Sequence, residues 1–366
     1  MKLFGWKPGR EGARPGLSRY GVGVAAVGEW PRSYEAQVRE AYLGNAVAQR
    51  AVRLVADGVG EAVLLGSERA RAFAGARTNG QALLATVAAQ LLLHGNAYLQ
   101  VLRGTDGEAA ELFALRPERV TLELDAGGWP AAYLYRVGER VTRLAADPVR
   151  PELIHVRSFH PLDDHHGLGC LGAAAGAVAI HNAATRWHKA LLDNAARPSG
   201  ALVYDPGDGS ALSSDQFDRL KAEMEAGFTG AANAGRPMLL EGGLKWQAMS
   251  LSPADMDFVG CKAAAAREIA LAFGVPPMLL GLPGDATYAN YREANRALWR
   301  LAVLPMADAI LAPLNQGLSG WMDAPGLAVD MNKVPALAED RERLWRSVSA
   351  ADFLSLDEKR ALVGVA

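Results

Sequence analysis

The stretch from Ala266 to Pro305 constrains the fold of this chain more than any other, because two helical patterns there flank a short loop. Gly274 permits the left-handed backbone that ends a helix, and Pro276-Pro277 prevent the helix from continuing. The loop "GLPGDATYANY" follows, and a second helical pattern then runs to about Leu318. The loop has neither a catalytic pair nor a phosphate-binding lysine. The segment therefore predicts a loop held between two long helices.

Composition limits the classes of protein that this chain can represent. It has 366 residues, of which 50% are hydrophobic, so two or three folding units are expected. Its net charge is -2. A protein that clamps DNA statically normally carries a basic excess, since neutralised phosphates release counterions. The charge argues against a repressor or nuclease clamp, and on its own it is typical of an ordinary soluble protein. Cys170 and Cys261 are the only cysteines, which gives no disulfide framework.

Neither a signal peptide nor a membrane span is predicted. The start "MKLFGWKPGR" lacks the apolar run of a signal peptide. The stretch Thr78–Leu102 has no charged residue, but Gln81, Gln90 and the Gly95-Asn96 break interrupt it. Its helical part has about 14 residues, whereas a bilayer needs ~20 mainly apolar ones. We therefore expect a soluble protein that is assembled in the cytoplasm and has no membrane partner.

The first half of the chain predicts an α+β domain. Residues 1–30 are rich in Gly, Pro and Arg and are expected to be loose. In residues 31–166, two helices precede a run of short strands with turns at Asp106-Gly107 and Gly127-Gly128. The expected helices are Asn45–Asp57 and one from a Thr78/Gln81 capping box to His94, and the expected strands are Glu61–Leu65, Tyr98–Arg103, Val120–Leu124, Ala132–Val137 and Leu153–Arg157.

The second half is dominated by helices around one compact insert. Residues 167–197 predict one long helix, and residues 252–274 predict its partner, opened by Ser252-Pro253. The insert, residues 198–251, is expected to hold a strand at Ala201–Tyr204, a helix capped by Ser213 and Gln216, and a hairpin at Gly242-Gly243. The remaining divisions are a loop region (275–291), a long kinked helix that returns to the first domain (292–334) and two terminal helices (335–366), the second opened by a Ser355/Glu358 capping box.

Two motifs raise the alternative of a nucleotide- or metal-dependent enzyme. "GLGCLG", Gly167 to Gly172, fits the dinucleotide fingerprint G-x-G-x-x-G, and Asp193 lies about 20 residues further on. The motif does not directly follow a strand, however, and Asp193 falls within the same predicted helix, which argues against a Rossmann site. The second motif is a His/Asp cluster between His155 and His166, which includes His160, Asp163, Asp164 and His165.

The His/Asp cluster has side chains that bind zinc or hard cations, but not the spacing of a metal site. Neighbouring histidines in a loop rarely converge on one ion, and no H-E-x-x-H helix is present. The sequence also lacks G-x-S-x-G and a Walker lysine. We therefore expect no catalytic residue, no metal and no cofactor.

The motifs "REIALAFGVPPMLLG" and "ATYANYREANR" resemble the signature of portal proteins from tailed phages of the siphophage type. The resemblance extends over nearly the whole chain and includes portals of prophages and gene transfer agents. It implies a portal fold: an α+β wing (31–166), stem helices (167–197 and 252–274), a small α/β clip (198–251) and a helical crown (335–366). It also implies a non-enzymatic ring, twelve-fold in the particle, at one capsid vertex of a virion.

The resemblance further implies partners and site residues. Double-stranded DNA would pass through the ring without sequence-specific contacts, while the terminase, a head-tail adaptor and the major capsid protein would bind its outside. The channel loop would present Asp285, Thr287, Tyr288 and Asn290 to DNA. The alanine face of Cys261–Ala270 would pack between subunits through Ala263, Ala265, Ala266 and Arg267. The clip would bind partners through Asp205, Gly207, Asp208, Phe228, Asn233 and Arg236.

Overall fold

The computed structural model describes residues 33–78, 80–193, 200–207, 211–228, 243–248, 257–282 and 287–364. It divides the chain into two compact units. The larger unit combines the chain up to Ala175 with the part that begins at Ile269, and the smaller unit spans Gly176–Glu268. The larger unit is therefore built from two stretches that are distant in sequence.

Capped helices form the first layer of the larger unit. The side chain of Asn45 accepts hydrogen bonds from the backbone N–H groups of Val47 and Ala48, both at 3.0 Å, and so fixes the start of the second helix. That helix buries one alanine- and valine-rich face against the fourth helix. The helices are α1 (Tyr34–Val38, continued by a π-helical turn at Arg39–Leu43), α2 (Ala46–Glu61), α3 (Glu68–Ala74) and α4 (Leu83–His94).

Two three-stranded antiparallel sheets form the second layer. In one, β4 (Asn96–Arg103) lies between β5 (Ala109–Leu115) and β9 (Leu153–Arg157); in the other, β7 (Pro130–Val137) lies between β6 (Val120–Leu124) and β8 (Arg140–Ala145). They share one apolar cluster, to which each strand contributes a residue: Tyr98, Leu115, Leu122, Tyr133, Leu144 and Leu153. The other strands of the larger unit form two short pairs. These are β1 (Leu64–Leu65) with β12 (Ala328–Val329), and β2 (Arg77–Thr78) with β3 (Gln81–Ala82).

The structure corrects two of the predicted elements and adds two strands that the sequence did not predict. Strands β5 and β8 were not predicted, because their apolar and polar residues do not alternate cleanly. The Thr78/Gln81 capping box is wrong, since both residues pair in the β2–β3 ladder and α4 begins at Leu83 without a side-chain cap. The strand predicted from Glu61 starts only at Leu64, because α2 continues through Glu61.

A long interrupted helix crosses the larger unit. It consists of α8 (Tyr288–Leu298), a π-helical segment (Trp299–Val303) and α9 (Leu304–Leu318), so the prediction that helix continues to Leu318 is confirmed. By length and composition this helix is apolar enough to cross a membrane. Its α9 part nevertheless packs on β9 and α4 inside the unit. The residues it buries there are Val303, Ala307, Ile310, Leu311, Leu314 and Leu318.

The smaller unit contains most of α5 (Leu171–Asp193) and of α7 (Phe258–Ala272), together with α6 (Ser214–Phe228) and an antiparallel pair, β10 (Gly200–Tyr204) with β11 (Leu244–Ala248). Trp187 of α5 stacks on Phe258 of α7 with ring centroids 3.8 Å apart. The predicted cap of α6 is confirmed: Ser213 Oγ accepts from the Gln216 N–H, and Gln216 Oε1 accepts from the Ser213 N–H.

Two helices, α10 (Ala338–Ser349) and α11 (Leu356–Val363), end the described chain as predicted. Ser355 and Glu358 form the expected capping box, in which each side chain accepts the other residue's backbone N–H. Helices packed on antiparallel sheets make the protein α+β, so the predicted class is confirmed.

Candidate nucleic-acid interface

The loop proposed to face DNA begins at a rigid stop. α7 ends at Gly274, whose backbone is left-handed (φ 66°), and the Val275 N–H closes the last turn by donating to Ala270 O at 2.9 Å. A 3₁₀ turn at Pro277–Leu280 follows and ends at Gly281, which is also left-handed (φ 72°). Two helix-ending glycines therefore fix the direction in which the chain enters the loop.

The loop ends earlier than predicted, because α8 begins at Tyr288. The Thr287 hydroxyl caps this helix by accepting the backbone N–H of Asn290 at 3.2 Å. Tyr288 and Asn290 are therefore helical, and the prediction of a loop through residue 291 is wrong there. Tyr288 is 78% exposed, and the Arg292 guanidinium lies 5.2 Å from its ring centroid. Asp285 lies outside the described residues.

An ion-pair network, not predicted from the sequence, anchors α8 to α10. Arg296, whose side chain is only 11% exposed, contacts Glu339 at 2.8 Å and Asp340 at 3.4 Å. Arg300 reaches Asp340 at 2.8 Å, and Arg292 pairs with Glu339. The three arginines recur every four residues and so share one helix face. This spacing is the feature of the sequence from which the network could have been predicted. The network runs from Arg292 to Arg300 and so holds the part of the long helix after the first turn of α8 against α10.

The stem residues proposed to contact a neighbouring subunit differ in exposure. Ala265 and Ala266 are 3% and 2% exposed in the single chain, so this protomer already covers their side chains. Ala263 is half-buried, and its carbonyl accepts a hydrogen bond from the exposed Arg267. The interface assignment stays a prediction, but its direct contacts must come from exposed positions on α7, such as Ala264 and Arg267.

The clip residues proposed to bind partners are described only in part. Asp205 pairs with Lys245 at 3.5 Å, and its carboxylate also accepts the N–H of Gly207, which is left-handed (φ 82°). This arrangement is an exposed turn, as expected. Phe228 is the last residue of α6, while Asp208, Asn233 and Arg236 lie outside the described residues. Partner binding by these residues stays a prediction.

Two glycines of "GLGCLG" let the backbone of residues 167–169 pass close to the backbone at the end of α4. A Cβ atom on Gly167 would lie 2.0 Å from Gly95 O, and one on Gly169 would lie 2.5 Å from Leu93 O. Asn96 fastens the crossing, since its Oδ1 accepts the Gly167 N–H at 2.7 Å and its Nδ2 donates to Gly167 O at 3.2 Å. Two of the glycines are thus explained by packing on the end of α4, which removes the basis for a dinucleotide site.

The His/Asp loop is organised by its own hydrogen bonds. Asp163 Oδ1 accepts the backbone N–H groups of His165 and His166 at 2.7 and 2.9 Å, and its Oδ2 contacts His166 Nδ1 at 3.2 Å. Burial raises the pKa of Asp163, but these hydrogen bonds outweigh it and lower the pKa to about 2. Within the described part of the chain, no three His, Cys, Asp or Glu residues are placed to hold a metal ion.

Two partly buried histidines, His155 and His94, predict acid sensitivity of the larger unit. His155 stacks on Tyr98 with centroids 4.4 Å apart and bonds Asn96 through Nε2 at 3.0 Å. Burial lowers the pKa of His155 to about 3 and that of His94 to about 4. Both pKa values are depressed, so the unfolded chain takes up protons first. Stability is complete above about pH 6.5 and falls as the pH drops toward 3.

We expect the free energy of unfolding to drop by about 2 kcal/mol per histidine between pH 6.5 and pH 5. Urea unfolding at both pH values measures this, with His155→Gln as the comparison. If the parent and His155→Gln lose equal stability over this range, His155 is not buried in its neutral form.

The chain matches the family model "Phage portal protein" over residues 45–364. Among solved structures, it is 48% identical to a chain in the neck of a native gene transfer agent particle computed with C12 symmetry. That match covers 92% of this chain and 95% of the other, with a TM-score of 0.72.

Curated relatives agree with this match. An uncharacterised protein of Rickettsia bellii (strain RML369-C) is 38% identical over 89% of this chain and 88% of its own length. The probable portal protein of Streptomyces phage phiC31 is 25% identical over 76% of this chain and 62% of its own. Since the family model covers most of the residues, the chain belongs to the phage portal protein family.

Proposed function

We propose that this portal protein forms a twelve-membered ring at one capsid vertex of a virion or gene transfer agent particle, and that double-stranded DNA passes through the ring. The observation that carries the proposal is the 48% identity, over 92% of the chain, to a neck component computed with C12 symmetry. A small net charge of -2 supports passage rather than capture, because a strongly basic channel would hold DNA through its phosphates.

The proposed ring acts without catalysis. It nucleates head assembly and contacts the major capsid protein, while its clip docks the terminase during filling and the head-tail adaptor afterwards. In this scheme the terminase supplies ATP hydrolysis. The enzyme alternative has no support from the site, since Gly167 and Gly169 are used in packing and Asp163 is used in a turn.

Within the ring, the loop before α8 is the proposed point of closest approach to DNA. Its frame suits that role, because left-handed glycines precede the loop and the Thr287 cap fixes the start of the helix that follows it. Tyr288 and Asn290 on the first turn of α8 would meet sugars and phosphates, which carry no direct sequence information.

Ring assembly is the primary test, and the stem helix supplies matched variants. Electron microscopy of the negatively stained parent should show rings with twelve-fold symmetry. We expect Ala264→Trp, on the exposed side of α7, to prevent ring closure while leaving the protomer folded. Ala265→Trp should instead destabilise the protomer itself by about 1–3 kcal/mol, because that site is already filled. Normal rings with Ala264→Trp would place the exposed side of α7 outside the interface, and a parent that stays monomeric would contradict the ring.

DNA passage is tested with Asp285→Lys. In a ring, this change replaces a collar of negative charge with a positive one, and each contacted phosphate then adds salt-dependent affinity. We expect particles to assemble but to release DNA more slowly at low salt than at high salt. Asp308→Lys, an equal charge change on the exposed side of α9, is the control. Equal DNA release by both variants at both salt concentrations would contradict the proposal that Asp285 faces the channel.

A further inference from the structure

Few charged residues lie in and around the loop before α8. Between Gly274 and Tyr291 the sequence contains no lysine or arginine, and its one acidic residue there is Asp285. Arg292 is the first cation that follows the loop. Proteins hold the phosphates of DNA mainly through charge-assisted hydrogen bonds from arginine and lysine. In this part of the sequence, Arg292 is therefore the cation nearest to the loop that can bind a phosphate.

The Arg292 side chain is stacked and accessible. Its guanidinium carbon lies 5.2 Å from the centroid of the Tyr288 ring, one helical turn earlier, and the side chain is 49% exposed. Stacking on a ring face restricts the guanidinium but leaves its N–H donors, which lie in the guanidinium plane, able to form hydrogen bonds. Such a planar fork can give two parallel hydrogen bonds to one phosphate. Arg292 therefore has both the chemistry and the exposure of a phosphate-binding residue.

The present partner of Arg292 has a second cation. Glu339 on α10 contacts Arg292 through Oε1, while its Oε2 accepts a hydrogen bond from Arg296 at 2.8 Å. The side chain of Glu339 is 47% exposed, whereas that of Arg296 is mostly buried. If Arg292 leaves, Glu339 keeps its more buried partner and is not left as an unpaired charge. The loss is small, because an ion pair between half-exposed side chains contributes little to stability.

We propose that Arg292 exchanges Glu339 for a DNA phosphate when DNA fills the channel, with Tyr288 holding the guanidinium in place. The inference rests on the proposed function, since it takes the start of α8 to lie beside DNA. The exchange replaces one exposed ion pair with another, so the contact stays weak enough for DNA to slide. Each bound phosphate also removes one of the ion pairs between α8 and α10, which makes the network respond to DNA.

The first test is the rate of DNA release from filled particles at low and high salt. Arg292→Gln should speed release about two- to fivefold at low salt, as for loss of one exposed ion pair, and have little effect at high salt, where the charges are screened. Arg300→Gln removes the same charge from the same network but further from the loop. This control should release DNA at the rate of the parent.

Glu339→Gln separates phosphate binding from a purely structural role. It frees Arg292 from its partner, so release should become about two- to fivefold slower at low salt, opposite to the effect of Arg292→Gln. The double variant should release DNA as fast as Arg292→Gln alone, because Glu339 acts only through Arg292. Glu342→Gln, which removes the same charge from the exposed pair of α10 with Arg346, is the control and should match the parent.

Two outcomes would overturn the exchange while leaving the ring intact. Arg292→Gln and Glu339→Gln might change release in the same direction, as expected if Arg292 only ties α8 to α10. Arg292→Gln particles that release DNA like the parent at both salt concentrations would also contradict it. Parent particles that form rings but never fill with DNA would instead contradict the proposed function, and the exchange with it.

Discussion

Gly167→Ala is expected to prevent stable folding of the larger unit. The added Cβ would lie 2.0 Å from Gly95 O and 2.6 Å from Ser158 N, and both are backbone atoms of the crossing between α4 and β9. Those atoms cannot retreat without breaking the bond from the Ser158 N–H to Gly95 O and the bonds from Asn96. We expect a loss of at least about 3 kcal/mol, visible as a fall in soluble yield and in the urea unfolding midpoint.

The matched control lies in the same motif. Around Gly172, the last glycine of "GLGCLG", a Cβ would meet nothing within 4 Å, and the residue is inside α5. Gly172→Ala should therefore be neutral or slightly stabilising, since alanine favours helix more than glycine does. In a dinucleotide site, Gly172→Ala would instead be harmful, because the third glycine is needed for close packing of helix and strand. Equal loss of stability in both variants would contradict the packing explanation.

Arg296→Met should separate α8 from α10. The variant keeps most of the apolar stem but leaves Glu339 and the partly buried Asp340 without their central cation. Glu339 keeps Arg292 and Asp340 keeps Arg300, but both lose the mostly buried guanidinium between them, so we expect a loss of about 1–2 kcal/mol in the free energy of unfolding. Hydrogen exchange should also increase in the last turn of α8 and the first turn of α10. Chemical denaturation and exchange mass spectrometry measure the two effects.

Arg346→Met is the control for a surface ion pair. Arg346 contacts Glu342 on the same helix, and both side chains are mostly exposed, so its loss should cost less than about 0.5 kcal/mol. Asp340→Leu should reduce the loss of stability caused by Arg296→Met, because it removes one of the two carboxylates that lose a cation partner. If Arg296→Met is as mild as Arg346→Met, the network does not anchor α8.

The sequence predicted elements that local chemistry determines. The stop at Gly274, the cap at Ser355 and the interrupted helix through Leu318 each follow from residues close together in the chain. Strand β8 could not be predicted in this way, because its place depends on pairing with β7 rather than on its own pattern.

At the candidate site, the position of the loop could be predicted from the sequence, but its long-range contacts could not. The resemblance indicated a DNA-facing loop before α8, but the contact of Arg296 with Glu339 joins residues 43 positions apart. The burial of Ala265 likewise depends on what packs over α7, so an alanine-rich face alone did not show which side is open. The use of Gly167 became clear only from the backbone that crosses it.

The π-helical segment Trp299–Val303 sets the rotational phase between the two ends of the long helix. A π turn holds one residue more than an α turn, and each residue of an α-helix turns the axis by about 100°. The charged face of α8 and the apolar face of α9 are therefore offset by that extra residue. Shortening the segment by one residue would restore a continuous α-helix but turn Arg296 away from Glu339. Among relatives, insertions and deletions should consequently be rarer between Trp299 and Val303 than in the loop before Thr287.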